Sequence, residues 1–306
     1  MQHTLITFIC TLALLSARGA PKASSALPVV ITREAVSLRP AAGVEVLRYR
    51  LVRPADTKIE SAAFFHPFTT PRGSVVTDLA PSDHPHHGGI FIGWVEMHGE
   101  KDADFWGWGQ HAPIKDRRIV NQSVRATRDG LNAVNNWMAD ETVLIQEKLR
   151  ASLRASDEAN VLDLNYVLTP KSDITLSRWA FSGFCLRTRK DGKLQFYSPQ
   201  GEVTLPNPSH VKPESDWPDA PWYAATVTLA DGTKFTSAVI NHPKNPPSLW
   251  HNHRDVRMIN PAITAPNEVK LKRGKPLVLL YRVVAVDGGA PMALLNRLAD
   301  EFQAAK

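Results

Sequence analysis

The chain has 306 residues, with 36 Lys and Arg against 30 Asp and Glu, 43% apolar residues and 8% aromatic residues. This composition excludes an intrinsically disordered protein, a collagen and a coiled coil. The formal charge of +6 is spread along the chain without a long basic block. We therefore expect no nucleic-acid partner.

Residues 1–26 have the features of an export signal. The apolar run from Leu5 to Leu15 is too short to span a bilayer comfortably, and the small-residue triplets 17–19 and 24–26 follow it. A membrane anchor or a buried strand is the alternative reading. No later segment is long and apolar enough to cross a membrane. We therefore expect a signal peptide over 1–26, a single domain over 27–306, a periplasmic or secreted location, and no stable membrane insertion after cleavage.

Short segments with alternating hydrophobicity dominate the rest of the chain. Apolar and polar positions alternate over 162–168, whereas 278–285 is apolar on both faces, which predicts a strand buried between two layers. Only 292–302 has helical spacing of its apolar residues. The five prolines within 205–221 predict a rigid surface loop. The pattern predicts an all-β protein, an antiparallel β-sandwich with a short C-terminal helix.

Histidines are concentrated in two clusters. The first is Asp83-His84-Pro85-His86-His87, with His66 upstream, and the second is His251-Asn252-His253, with His242 and Trp250 before it. In an extended backbone, residues i and i+2 project to one face. His84 with His86, or His251 with His253, could therefore converge on one divalent metal ion.

Three interpretations of these histidines remain open at this point. They form a polar catalytic or sugar-binding pocket, they bind a metal ion, or they only hydrogen-bond the backbone. The candidate metal ligands are His84, His86, His251 and His253. The identity of a metal is unknown from the sequence, because neither a Cys ligand nor an obvious third carboxylate ligand accompanies them.

One carboxylate falls on an apolar face. In the strand-like segment 143–153, Glu147 shares its face with Val143, Ile145 and Leu149. An inward carboxylate is costly unless it is paired or functional, so Glu147 is a candidate general acid or base. A register slip or an ion pair at the sheet rim is the alternative.

Aromatic and cationic residues complete the candidate set. Trp106 and Trp250 lie near turns, where tryptophan faces can stack on sugar rings or pack into the core. Arg254 and Arg257 follow the second cluster and could bind a carboxylate. The catalytic candidates are His84, His86, His251 and Glu147. The candidate ligand-binding residues are His66, Asp83, His87, Trp106, His242, Trp250, His253, Arg254, Arg257 and Asn260.

The motifs resemble those of a bacterial family of unknown function commonly described as PmoA-like methane oxygenases. The resemblance runs from about residue 45 to 290 and rests on Phe65-His66-Pro67, Asp83-His84-Pro85-His86-His87-Gly88, Asp104-Phe105-Trp106, Asn241-His242-Pro243, Trp250-His251 and Asn260-Pro261. It implies an exported sandwich similar to sugar-handling folds, such as a galactose-mutarotase-like supersandwich. We do not carry methane oxidation over, because that membrane subunit needs several transmembrane helices.

Three functions follow as hypotheses. The first is an exported carbohydrate-active lyase or hydrolase with a His-rich pocket, acting on a glycan or another small molecule. The second is a metal-dependent oxygenase or hydrolase that uses the two His-x-His pairs. The third is a non-catalytic glycan-binding module.

Overall fold

The computed structural model describes residues 28–39 and 44–304, and the predicted signal peptide lies outside them. Two large sheets dominate these residues, and every pairing between their strands is antiparallel. With strands numbered in chain order, the seven-stranded sheet has the order β1 (Val29–Ile31), β2 (Ala35–Leu38), β3 (Leu47–Arg50), β4 (Phe65–Phe68), β5 (Ile90–Gly93), β12 (Gly183–Arg187), β18 (Met258–Ile259).

The nine-stranded sheet supplies the opposite layer. Its order is β14 (Gly201–Val203), β13 (Lys193–Ser198), β15 (Trp222–Thr228), β16 (Lys234–Asn241), β21 (Leu277–Asp287), β10 (Asn160–Pro170), β9 (Thr142–Ala155), β8 (Gly130–Ala139), β7 (Arg117–Ala126). Two small sheets lie at the periphery: β20 (Val269–Leu271) with β11 (Ile174–Leu176) and β6 (Met97–His98), and β17 (Leu249–Trp250) with β19 (Pro261–Ala262).

The two large sheets pack face to face around a shared apolar core. Phe184 of β12 stacks on Tyr281 of β21, with ring centroids 4.1 Å apart, so the contact joins one sheet to the other. On β10 the alternation is as predicted, with Leu162, Leu164 and Leu168 buried. The predicted antiparallel β-sandwich is confirmed.

Helix α1 (Met292–Ala304) covers the outer face of the nine-stranded sheet. Its Leu295, Leu298 and Phe302 pack in one buried cluster with Val284 and Val286 of β21. Strand β21 is therefore buried on both faces, as its sequence predicts. No helix within the described residues is both long and apolar enough to span a membrane.

The outer face of the seven-stranded sheet carries a second apolar layer. Phe91 on β5 is paired with Cys185 on β12, and both side chains point away from the inter-sheet core, into a cluster with Trp106 and Phe181. Cys185 is buried and free, and burial raises the pKa of its thiol. The loops around this layer contain most of the histidines.

Candidate functional site

The first histidine cluster is a tight turn that precedes β5. The backbone N–H of His87 donates to the carbonyl of His84 at 3.0 Å, so the segment bends instead of extending. The three imidazoles consequently contact one another, with ring centroids 5.8 Å apart for His84 and His86, 4.8 Å for His84 and His87, and 4.6 Å for His86 and His87. The turn corrects the extended backbone that was expected here, in which only His84 and His86 would share a face.

Glycine permits the close packing of this turn against the neighbouring loop. Gly107 has a φ of +100°, and a Cβ at that position would lie 2.8 Å from the Cβ of His86. Such a separation is shorter than real Cβ contacts, and a positive φ also favours glycine. The 104–109 loop is itself fixed by Asp104, whose carboxylate accepts backbone N–H groups of Trp106 (2.7 Å), Gly107 (2.8 Å) and Gly109 (2.6 Å).

Asp83 anchors the turn through cations and does not face the pocket as a free ligand group. It accepts from the fully buried guanidinium of Arg187 at 2.8 Å and from Lys190 Nζ at 2.8 Å, and it lies 3.0 Å from His84 Nδ1. Partial burial raises the pKa of Asp83, but the hydrogen bonds from Lys190 and Arg187 outweigh it and hold the pKa well below its usual range. The predicted ligand-binding role of Asp83 is corrected to one of holding the turn.

The second cluster is completed by residues of the proline-rich loop. His251 Nδ1 lies 2.6 Å from Asp216 Oδ1, and neither side chain is accessible to solvent. His251 Nε2 lies 3.1 Å from His210 Nδ1, and the His210 ring stacks on His253 with centroids 4.9 Å apart. Asp216, His251 and His210 thus form one hydrogen-bonded chain, which we call the relay.

Burial opposes charge in the inner part of the relay. It raises the pKa of Asp216 to about 8 and lowers the pKa of His251 to about 3. The single proton between Asp216 and His251 can therefore reside on the carboxyl group at neutral pH, because a charged pair would be poorly solvated there. Burial also lowers the pKa of His210 to about 4.

The relay and the first cluster meet at one cavity. His210, His84, His86 and His87 line it, and its volume is about 60 Å³. Liquid water occupies about 30 Å³ per molecule, so the cavity has room for a hydroxyl group but not for a whole sugar ring. We call this cavity the histidine pocket. No Arg or Lys lines it among the described residues.

Aromatic side chains form the floor and one side of the histidine pocket. Trp106 and Phe181 are buried beneath it, and the half-buried Trp108 lies at its wall. Trp108 packs edge-to-face on Trp179 at 5.6 Å, and the exposed His111 ring lies 4.4 Å from Trp179. A partly exposed aromatic surface therefore continues from the pocket to solvent.

Glu147 lies elsewhere, in the core between the two large sheets. Its carboxyl group accepts from Asn135 Nδ2 at 2.7 Å and from Trp137 Nε1 at 2.8 Å, and Asn135 also donates to Tyr49 on the opposite sheet. Its inward orientation is as predicted, and burial raises its pKa to about 7. Its predicted place beside the catalytic histidines is corrected, because the seven-stranded sheet separates its side chain from the histidine pocket.

Three further predicted ligand-binding residues lie outside the histidine pocket. His66 Nδ1 is 2.9 Å from Thr77 Oγ1, on strand β4. His242 packs edge-to-face on Phe302 of α1, and Trp250 is fully buried against Tyr223. His66 is thus held by a hydrogen bond, whereas His242 and Trp250 are buried in packing contacts.

The predicted cations and Asn260 fix the loop backbone. Arg254 donates to the carbonyl groups of Leu205 and Val203, and Arg257 donates to that of Gly192 at 2.8 Å. Neither guanidinium lines the histidine pocket. Asn260 is fully buried, and its amide donates to the carbonyls of Ser182 and Phe184 at 3.0 and 2.5 Å. The structure therefore does not bring these three residues together with the histidines of the pocket, and their substrate-binding role stays a prediction.

The structure does not arrange the four candidate metal ligands as a metal centre. Within residues 28–39 and 44–304, no group of three or more His, Cys, Asp or Glu side chains has a geometry that could hold a metal ion. The rings of His84 and His86 lie 5.8 Å apart, and those of His251 and His253 lie 6.0 Å apart. His251 is instead bonded on both ring nitrogens, by Asp216 and His210.

Two residues of the relay were missed by sequence reasoning. His210 and Asp216 both lie in the 205–221 segment, which its prolines identified as a rigid surface loop. The segment is irregular apart from a 3-10 turn at Pro213–Ser215, as predicted, but it folds over His251. The sequence feature that could have identified them is a histidine and an aspartate six residues apart in such a loop.

Comparison with solved structures gives matches at low similarity. They include a GH36 α-galactosidase from Geobacillus stearothermophilus (TM-score 0.40, 10% identity, covering 86% of this chain and 41% of that one). An α-galactosidase from Lactobacillus brevis (0.39, 8%, 87% and 40%) and a galactose mutarotase related enzyme from Lactobacillus acidophilus (0.35, 6%, 86% and 97%) are others. The chain thus spans about two fifths of each α-galactosidase.

Sequence comparison gives a family without an activity. No curated protein matches the chain. A family model described as a family of unknown function, DUF6807, matches residues 39–300, which include every residue of the histidine pocket and all strands of the two large sheets except β1 and β2. The chain therefore belongs to the DUF6807 family.

Proposed function

We propose that this protein is a carbohydrate-active enzyme in which histidines act as general acid and base. The observation that carries the proposal is the relay, which runs from a solvent-inaccessible carboxyl group through His251 to an imidazole at the pocket wall. Histidine chains ordered by a buried carboxyl group are a recurring device for proton transfer.

The relay supports uptake of a proton without leaving a buried imidazolium. When Asp216 is ionised, His251 Nδ1–H donates to it, His210 Nδ1–H donates to His251 Nε2, and His210 Nε2 is free to act as a base. When Nε2 of His210 takes a proton from the ligand, His210 passes its Nδ1 proton to Nε2 of His251. His251 in turn passes its own Nδ1 proton to the carboxylate of Asp216. All three groups then end neutral, which burial favours.

The first cluster supplies the opposite partner. Burial lowers the pKa of His84 and also that of His86, the latter to about 4, so both rings are neutral near pH 7. His86 Nε2 is buried without a hydrogen-bond partner among the described residues. A neutral imidazole can donate one N–H to an oxygen on which negative charge develops.

The surroundings favour a neutral, hydroxylated ligand. The histidine pocket admits a hydroxyl group, and Trp108 with Trp179 offers a partly exposed aromatic surface beside it, which suits stacking of a sugar ring. Cleavage by two flanking carboxylates is not supported, because Asp83 is held by cations and Glu147 lies in the core. Elimination assisted by Arg254 or Arg257 is not supported either, since both donate to backbone carbonyls.

The test is product formation from a panel of neutral glycosides and oligosaccharides, followed by chromatography and NMR. We expect wild-type protein to convert at least one compound and His210→Asn to lose at least about 100-fold in rate. His98→Asn is the matched control, since His98 is exposed, lies within hydrogen-bond distance of Glu96 and Asp102, and does not line the histidine pocket. Equal rates in His210→Asn and wild type would refute the role of the relay. Saturable sugar binding without any product would identify a binding module instead.

The family resemblance, the export signal and the extracellular location remain predictions within this proposal. An exported enzyme would meet glycans outside the cytoplasm, which suits the substrate class. N-terminal sequencing of the protein recovered from the periplasm or the medium of its host tests the cleavage expected near residue 26.

A further inference from the structure

A second, larger cavity adjoins the histidine pocket. Its volume is about 350 Å³, and it shares His86 and Trp106 with the histidine pocket, so these two side chains form the boundary between the cavities. A cavity of roughly 150 Å³ is enough to hold a benzene ring. The second cavity can therefore take a group much larger than the hydroxyl that fits beside His210.

The walls of the second cavity are mainly apolar. Phe64, Phe91 and Trp106 are buried in it, and Ile114, which is 38% exposed, lies at its mouth. Burying the face of an apolar ring against such side chains is favourable because it removes apolar surface from water.

The charged residues of this cavity are largely engaged with other groups. Asp104 is satisfied by backbone N–H groups, Arg53 is paired with Glu60 at 2.9 Å, and Arg117 with Asp140 at 2.8 Å. The exposed Lys58 lines the cavity as well. A cationic ligand would have to break one of these pairs, whereas an uncharged aromatic group would not.

We infer that the second cavity binds the apolar, aromatic aglycone of a glycoside whose sugar stacks on Trp108 and Trp179 and places one hydroxyl group in the histidine pocket. The inference rests on the proposed function for the sugar half. It assigns His86 a place between the two halves, where its partnerless Nε2 can reach the oxygen that joins sugar to aglycone. The aromatic cavity then determines specificity, and the histidines perform the chemistry.

Phenol is the first probe, because it tests the second cavity without any sugar. We expect calorimetry to show saturable, millimolar binding of phenol to the wild-type protein, and binding at least about tenfold weaker in Ile114→Trp, whose larger side chain fills the mouth. Val278→Trp is the matched control, since Val278 is 41% exposed on β21 and lines neither cavity. His210→Asn should bind phenol as the wild type does.

Two outcomes overturn the inference. One is the absence of saturable phenol binding to the wild type, and the other is phenol binding that Ile114→Trp leaves intact, which would place the ring outside the second cavity.

Methyl and phenyl glycosides of the same sugars then link the cavities. The phenyl compound should bind at least about tenfold more tightly than the methyl compound, and Ile114→Trp should remove this difference. Equal affinities in the wild type would overturn the inference. Binding of phenol without binding of any glycoside would count against the proposed sugar chemistry and leave the apolar cavity in place, so the two failures are distinguishable.

Discussion

Replacement of Glu147 by glutamine tests the buried carboxyl group in the sandwich core. Glu147 is 1% exposed, and burial raises its pKa to about 7 against the hydrogen bonds from Trp137 and Asn135, which lower it. The ordinary value is 4.5. Because the folded state binds this proton more tightly than the unfolded chain, its stabilising effect is complete below pH 4.5 and is lost as pH rises toward about 7.

The magnitude follows from linkage. A shift of one pKa unit corresponds to about 1.4 kcal/mol, so the free energy of unfolding should fall by about 2 to 3 kcal/mol between pH 5 and pH 8.5 on account of this group. The amide of the Glu147→Gln variant does not titrate. The NH₂ group of the new glutamine would face the N–H donor of either Asn135 or Trp137. Because two donors cannot bond to each other, the variant would lose a hydrogen bond worth about 1 to 2 kcal/mol. Glu147→Gln should therefore be less stable than the wild type at pH 5 and more stable at pH 8.5.

The assay is urea unfolding at several pH values, followed by tryptophan fluorescence. The quantity of interest is the difference in free energy of unfolding between wild type and variant, because titration of all other groups cancels in it. Glu202→Gln is the matched control for the substitution itself, since Glu202 is exposed on β14. Parallel stability curves for wild type and Glu147→Gln would refute the reasoning.

Three further substitutions test the relay and the scaffold around the pocket. Wild-type turnover should rise toward pH 8, because the relay takes up a proton only when Asp216 is ionised. The amide of Asp216→Asn does not ionise, so we expect turnover to fall by at least about 100-fold and this rise to disappear from the pH–rate profile. Asp83→Asn leaves the Arg187 guanidinium buried without its carboxylate, so thermal unfolding should show a loss of about 2 to 3 kcal/mol, and an unchanged melting temperature would contradict this. Asn260→Ala removes three hydrogen bonds to the 182–184 backbone, and chemical denaturation should show a loss of about 3 kcal/mol.

The sequence alone predicted the layers of this protein. Alternation over 162–168, the doubly apolar segment 278–285 and the helical spacing after Pro291 correspond to β10, β21 and α1. These patterns are local, because a strand or helix that buries one face or both must carry that periodicity itself. The inward orientation of Glu147 was readable for the same reason.

The sequence also located the histidines but not their geometry. Extended backbone was assumed for Asp83–Gly89, whereas a turn at His84 to His87 brings three imidazoles together. Residues such as Trp250, His242 and Asn260 stand beside the clusters in sequence yet are buried in packing or backbone contacts. Proximity in sequence does not determine which face of a loop a side chain lies on.

Only the tertiary structure decided the composition of the pocket. The relay joins Asp216 and His210 of the proline-rich loop to His251, 35 and 41 residues away in the chain, and His84 approaches from more than a hundred residues upstream. The same fold places Glu147 on the opposite side of the seven-stranded sheet from these histidines. Periodicity determines which side of its own strand a residue faces. Contacts between residues on different loops depend instead on how distant segments pack, which no local sequence pattern encodes.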